Sequence, residues 1–264
     1  MADKYYQTIL FTPKERVARI SLNRPEVHNA FNAAMVREIA EAFEEAQGDE
    51  SVRVVVLTGI GESFCAGADL NWMREIIRYS FEQNLKESME VAELMHKIYS
   101  LSKPTIARIN GAAIGGGNGL FSACDIAVAS ERARFGLSEV KIGLVPAAIS
   151  PYVMRRIGES AARELFLTGE RFDARRALEI GLVNKVVPHD KLEVKVDEII
   201  RLLLSSGPEA IASCKELLHK VPAMTDAEAK VYTAEMIARL RVSQEGQEGM
   251  AAFLEKRKPR WAKE

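Results

Sequence analysis

The chain has 264 residues, 47% of them hydrophobic and 28% charged, and its 36 Lys+Arg against 37 Asp+Glu leave a formal charge of −1. That mixture belongs to a folded globular protein rather than a disordered one, and the near-neutral balance supplies no electrostatic footprint for nucleic acid or an anionic membrane. The length supports a sizeable core without a disulfide or metal staple. Cys65, Cys124 and Cys214 are odd in number and too widely spaced for a disulfide framework or a zinc-ligand pair. The first residues lack the basic-then-apolar order of a signal peptide, and no apolar run nears the ~18 residues that span a bilayer. A soluble, cytoplasmic protein is expected.

In chain order, residues 7–11 and 17–22 read as short strands split by a polar turn over 12–15. Asn32 can cap a helix over 32–47, with Val36, Ile39, Phe43 and Ala46 on one face. Residues 51–59 are a short, β-branched apolar run between turn signals, which favours a buried strand. Leu85, Met89, Ala92, Met95 and Tyr99 mark the next helical face, and Lys103-Pro104 stops it. A strand over 105–109, a Gly-rich turn, a short helix ending at Cys124-Asp125 and a strand over 126–130 follow. This alternation predicts βαβ connections and largely parallel sheets. Beyond about residue 150 the strand signal fades, except over 182–187. Thr225-Asp-Ala-Glu228 is a capping box, and Ala229, Tyr232, Met236 and Leu240 line one side of the helix it opens. The organisation expected is an α/β core over residues 1–195 and a helical C-terminal region over 196–264. The apolar faces of that region suit either an oligomer interface or packing on its own core.

Two turns sit where a strand feeds a helix: Ser63-Phe-Cys-Ala-Gly-Ala-Asp69 and Asn110-Gly-Ala-Ala-Ile-Gly-Gly-Gly-Asn-Gly119. Backbone N–H groups are free at such places and the helix dipole favours negative charge. Nucleotide explanations fail: from Gly115 the pattern G-x-G-x-x ends on Leu120, and Gly116-Gly117 is followed by Asn118 rather than Lys. Two N–H groups converging on one oxygen would make an oxyanion hole instead, each donor worth about 2.7–4 kcal/mol in a transition state.

Several motifs together carry a resemblance. They are Leu22-Asn-Arg-Pro25 with Asn29-Ala30, Phe64-Cys-Ala-Gly-Ala-Asp69, Asn110-Gly111 with Gly115-Gly-Gly117, Cys124-Asp125 and Ser138-Glu-Val-Lys-Ile-Gly-Leu-Val-Pro146. Leu167-Thr-Gly169, Gly181-Leu-Val183 and Phe253-Leu-Glu-Lys-Arg257 extend them over nearly the whole chain. In order and spacing they resemble the enoyl-CoA hydratase/isomerase (crotonase) superfamily. The resemblance implies an α/β spiral of repeated ββα units with a helical C-terminal trimerisation region, a homotrimer or dimer of trimers, and an acyl-CoA thioester as substrate. CoA would be part of that substrate, with no separate cofactor, no metal, and neither nucleic acid nor membrane as partner. It places the oxyanion-hole amides on Ala68 and Gly116. It places the adenine and pantetheine end of CoA against Val27 and the turn holding Ala66, Asp69 and Leu70. Phe253 and Lys256 of a neighbouring subunit would meet the adenine and ribose phosphate; without the resemblance, Lys256-Arg-Lys258 and Arg260 read as a solvated tail.

A typical hydratase of this family carries two glutamates for acid/base work. One corresponds to Glu139; the other falls on Gly119, which has no side chain. Asn118 or Ser122 could at most orient a water, and Asp125 reads as a structural cap. Three outcomes stay open: a hydratase in which Glu139 handles both water and proton, a Δ3,Δ2-enoyl-CoA isomerase, and a non-catalytic acyl-CoA- or RNA-binding relative. Gly119, Asp69-Leu-Asn-Trp-Met73, Gly143-Leu-Val-Pro-Ala-Ala-Ile-Ser-Pro151 and the stretch from Arg241 to Gly249 resemble a bacterial branch assigned to 3-methylglutaconyl-CoA hydration, which favours the first. That substrate brings a distal carboxylate of its own. His28, His96, His189 and His219 form no ligand cluster, no G-x-S-x-G is present, and Cys65 and Cys124 read as small buried hydrophobes, although Cys65 lies near the expected oxyanion hole.

Overall fold

The computed structural model describes residues 6–262. They divide into two compact units. One holds the residues up to Leu101 together with Thr105–Val196; the other holds Ser102–Pro104 and the residues from Asp197 onward. The strands are β1 (Ile9–Lys14), β2 (Val17–Leu22), β3 (Val54–Gly59), β4 (Thr105–Ile109), β5 (Ala113–Ile114), β6 (Ile126–Ser130), β7 (Arg134–Gly136), β8 (Arg171–Asp173) and β9 (Lys185–Val187). The helices are α1 (Ala33–Gly48), α2 (Leu70–Ile76), α3 (Phe81–Ser100), α4 (Gly116–Ser122), α5 (Ser150–Thr168), α6 (Ala174–Glu179), α7 (Leu192–Leu204), α8 (Pro208–Lys220), α9 (Asp226–Val242) and α10 (Gln244–Leu254).

In the first unit a six-stranded sheet runs β1-β2-β3-β4-β6-β9, with only the β1–β2 hairpin antiparallel. Every residue of β3 is buried, as a parallel strand covered on both faces must be. The hairpin turns at Glu15-Arg16, both left-handed at φ 50° and 70°, so β1 runs two to three residues further than the expected 7–11. Pro13 misled that expectation. It is tolerated because β1 is an edge strand, where a missing N–H is harmless. Asn32 caps α1 as expected, its side chain accepting the Met35 N–H at 2.9 Å. In α3 only the C-terminal half packs, through Leu94, Met95 and Ile98. Leu85 and Met89 are about half exposed, so the long apolar face read there is not a core face.

A second, three-stranded sheet, β5-β7-β8, was not legible in the sequence. Its strands have two or three residues each, too few for alternation to register. Phe135 of β7 stacks on Phe172 of β8, their ring centroids 5.7 Å apart, and the pair anchors this sheet on the core. In the other unit the capping box at Thr225 and Glu228 forms in both directions. Of the face expected on α9, Met236 alone is buried.

Parallel register sets where the turns emerge. Leu22 pairs with Gly59 and Thr58 with Arg108, so the C-terminal ends of β2, β3 and β4 lie side by side. Binding crevices in α/β proteins form at such ends. Two buried asparagines tie the emerging turns together. Asn29 Nδ2 donates to Ile60 O and Ser63 O, both at 2.8 Å, while its Oδ1 accepts the Arg24 N–H at 2.9 Å. Asn110 Nδ2 donates to Gly61 O at 2.8 Å and Ser63 O at 3.2 Å. Asn29 has φ 55° and is fully buried. Asn29→Ala should therefore lower unfolding free energy by about 2–4 kcal/mol, combining unsatisfied carbonyls with left-handed strain. Asn29→Gly loses the same bonds but not the conformation, and should retain about 1 kcal/mol more than the alanine variant in urea denaturation.

Candidate active site

The turn after β3 and the turn after β4 run against each other as backbone on backbone. Phe64 N–H and Cys65 N–H both donate to Ala112 O at 3.0 Å, and Ile114 N–H donates to Cys65 O at 2.9 Å. Gly67, at φ 93°, completes the approach: a Cβ there would stand 3.0 Å from Ile114 O. A third segment closes the set, with Phe31 N–H on Gly67 O at 2.8 Å and Asp69 N–H on Phe31 O at 3.0 Å. This bridge uses the groups flanking Ala68 and leaves its own amide without a hydrogen bond among the described residues. Gly116 is the first residue of α4, where helix geometry provides no acceptor for its N–H. The two amides named from the sequence are thus carried on turns locked together, and the Phe31 ring occupies the space a Cβ at Gly116 would need.

Glu139 opens a short 3₁₀ turn, Glu139–Ile142, that ends on left-handed Gly143. Its Oε1 lies 3.2 Å from where a Cβ on Gly115 would be, which sets the carboxyl beside the Gly115–Gly116 peptide. Its Oε2 is buried and has no hydrogen-bond partner among the described residues. Burial pushes the carboxyl pKa up, and a hydrogen bond from its own backbone offsets that only in part. A carboxyl whose pKa is pushed up by burial, with one oxygen unpartnered among the described residues, is suited to giving and taking a proton.

The position of the missing second glutamate has a physical explanation that sequence reasoning did not reach. Gly119 is buried on α4, and a Cβ there would collide with Ile149 Cγ2, with Met95 Sδ 3.2 Å away. Ile149, itself 3% exposed, fills the volume. No signal along the chain pairs residues 119 and 149, because the contact is made only when α5 packs on α4. The two N–H groups of Asn118 Nδ2 are shared among three backbone carbonyls, those of Ala113, Gly115 and Gly136.

Val27, Ala66, Asp69 and Leu70 gather on adjoining turns, joined by Ala66 N–H to His28 O at 3.0 Å and Ala30 N–H to Val27 O at 3.0 Å. Leu70 is 70% exposed and Ala68 is also exposed. The Asp69 carboxylate faces inward. It caps α2 through the N–H groups of Asn71 and Trp72 and accepts Arg24 Nη2 at 2.7 Å. Burial alone would raise its pKa; the Arg24 hydrogen bond and the two backbone donors outweigh burial and hold it below the usual carboxylate range. Arg24 Nη1 also donates to Ala30 O at 2.6 Å, so one guanidinium clamps the turn after β2 to the start of α2. Phe253 and Lys256 belong to the other unit, both exposed, with Lys256 in a left-handed conformation at φ 55°.

Cys65 is fully buried and its thiol is pushed up to about 12 by that burial, so it is no nucleophile at neutral pH. Asp125 accepts the Thr105 N–H at 2.7 Å and its hydroxyl at 2.8 Å, a structural cap between β4 and the end of α4. Among the described residues no helix is long and apolar enough to cross a membrane.

Known proteins share this architecture. The family described as Enoyl-CoA hydratase/isomerase matches residues 12–264. The solved structure of an enoyl-CoA hydratase from Shewanella pealeana is 44% identical with a TM-score of 0.94, over 97% of this chain and 96% of that one. Pseudomonas aeruginosa AtuE is 38% identical with a TM-score of 0.94, over 97% and 100% of the two chains. An enoyl-CoA hydratase from Mycobacterium smegmatis is 35% identical with a TM-score of 0.92, over 97% and 100%. The fold is therefore the crotonase-like α/β spiral, and the chain belongs to the enoyl-CoA hydratase/isomerase family.

Proposed function

We propose that this chain is an enoyl-CoA hydratase that adds water to a short or branched 2-enoyl-CoA, with 3-methylglutaconyl-CoA as the leading candidate. The observation that carries the proposal is the Glu139 carboxyl beside Gly115, its Oε2 buried without a partner among the described residues, next to two turns whose Ala68 and Gly116 amides have no acceptor among those residues. In this reading the two amides hold the thioester oxygen. Glu139 takes a proton from water as the water oxygen bonds to C3, and the C2=C3 electrons move onto the held oxygen. The enolate then collapses as Glu139 returns the proton to C2, and the carboxylate is regenerated. Preorganised amides serve this charge shift because they need no reorientation as the oxygen becomes negative.

Ile149 over Gly119 supports a single protein carboxylate, since the space for a second is filled by hydrocarbon. The distal carboxylate of a glutaconyl-type acyl group takes over part of the water activation. A proton shift between C2 and C4 also needs only one carboxylate, which makes the isomerase the second reading. CoA would lie along the exposed surface of Val27, Ala66 and Leu70, with Asp69 holding that turn through its cap rather than touching ligand. Phe253 and Lys256 would come from a neighbouring subunit. The exposed Val231, Ile237, Val242, Phe253 and Leu254 suit a trimer or dimer of trimers. A cytoplasmic location goes with this proposal and with the free thiols of Cys65, Cys124 and Cys214.

Crotonyl-CoA, 3-methylglutaconyl-CoA and a 3-enoyl-CoA offered to the wild type and to Glu139→Gln test the proposal. Hydration should be fastest on the acidic substrate and fall about 10²–10⁴-fold in the variant. Isomerisation alone selects the second reading, and no turnover on any substrate leaves a binding protein. Glu139→Gln should also change stability with a definite sign. Below the ordinary carboxylate range the side chain is protonated in both the folded and unfolded chain. As pH rises from that range through the raised folded value, the folded state holds the extra proton and wild-type stability falls. The advantage of the variant in urea midpoint should therefore grow from about pH 4 to about pH 7. Gly119→Glu alone should destabilise the fold through Ile149, whereas Gly119→Glu with Ile149→Ala should fold and raise crotonyl-CoA hydration by about tenfold or more.

A further inference from the structure

We infer that Asn118 is a positioning residue that aims the Gly116 amide, an inference that rests on the oxyanion-hole reading above. Asn118 has 0% exposure, and its Nδ2 donates to Ala113 O at 3.1 Å, Gly115 O at 3.2 Å and Gly136 O at 2.9 Å. All three partners are carbonyl oxygens, so only the NH₂ end of the amide can face them. The same oxygens take backbone donors as well: Gly115 O accepts the Asn118 N–H at 2.9 Å, and Gly136 O accepts the Gly115 N–H at 2.8 Å.

The geometry of one peptide unit links this clamp to the amide. In a planar trans peptide the carbonyl and the following N–H point in opposite directions. Asn118 pulls on Gly115 O from inside the protein, so the N–H of Gly116 in the same peptide plane is driven outward. Gly115 cannot hold that orientation through its own torsions. At φ 52° and ψ −125° it occupies a region open in practice only to glycine, and glycine has no side chain to restrict it. Beyond the two backbone hydrogen bonds of Gly115, the clamp adds a side-chain restraint that ties Gly115 O to β5 and β7.

The way Asn118 is built argues that its role is specific. Its Oδ1 is buried without a partner among the described residues, a costly state for a polar oxygen. Asparagine is also a poorer helix former than alanine, and Asn118 sits in α4. Both penalties follow from one requirement, a short side chain with two N–H groups on one nitrogen. Asp cannot donate, Ser can serve one carbonyl, and Ala serves none.

Asn118→Ala and Asn118→Ser separate positioning from simple support. Folding is checked by circular dichroism, kcat and KM are measured on the enoyl-CoA the wild type prefers, and the near-ultraviolet band of a bound 3-oxoacyl-CoA enolate is recorded. In the folded alanine variant kcat should fall roughly tenfold to a hundredfold, the scale of a misplaced rather than deleted donor. KM should stay within about threefold, the enolate band should weaken, and serine should be intermediate. Unchanged kcat and band in a folded variant would overturn the inference. So would a loss confined to KM with the band intact, or failure of both variants to fold, which would make Asn118 a folding clamp only. A wild type that lacks the band removes the oxyanion hole and the inference together. A wild type that shows the band but hydrates nothing removes the hydratase proposal alone, and Asn118 is then judged on the band.

Discussion

Everything at this site depends on two strand-to-helix turns touching through backbone. Cys65 and Ala113 form a bridge, and Gly67 lies close enough to Ile114 that a methyl group there would crowd its carbonyl oxygen. Side chains at this contact would hold the turns apart. Backbone contact instead sets both donors on a rigid scaffold, the condition under which fixed dipoles act on a developing charge. The parallel register of β2, β3 and β4 delivers the turns to one end of the sheet, and buried Asn29, Asn110 and Asn118 hold them there by donating to backbone carbonyls of the turns.

The polar and apolar parts of the site are arranged in opposition. Glu139 keeps an oxygen buried without a partner, which works against folding and favours proton exchange. Asp69, the residue next to Ala68, is treated in the opposite way: Arg24 and the first N–H groups of α2 hold it ionised, and it serves structure. Two carboxyls thus differ because one is supplied with a guanidinium and two backbone donors, and the other with its own backbone N–H, too little to offset burial. Beside α4, the hydrocarbon of Ile149 fills the space that a side chain at position 119 would need.

Much of this was legible along the chain. The Asn32 cap, the β3 run, the strand over 105–109 and the Thr225 box depend on neighbours within a few residues, so local spacing reports them. The turns holding Ala68 and Gly116 were marked by glycines and by their place after strands. The errors were also local in origin. Pro13 suggested a turn that an edge strand accommodates, and Leu85 and Met89 had helical spacing without a core to face. The two- and three-residue strands of the second sheet are too short to show any period.

The sequence by itself determined the alternation of strands and helices, the free amides at strand-to-helix turns and the absence of a side chain at position 119, since each follows from residue type and near spacing. Only the tertiary structure decided that Ile149 occupies the space over Gly119, that Asp69 is turned inward to Arg24, that Cys65 is too buried to react, and that Asn118 grips three carbonyls from separate strands and turns. The physical reason is distance along the chain. Burial, desolvation and hydrogen bonding among groups well separated along the chain, 45 residues between Arg24 and Asp69 and 18 between Asn118 and Gly136, exist only after the elements that carry them have packed.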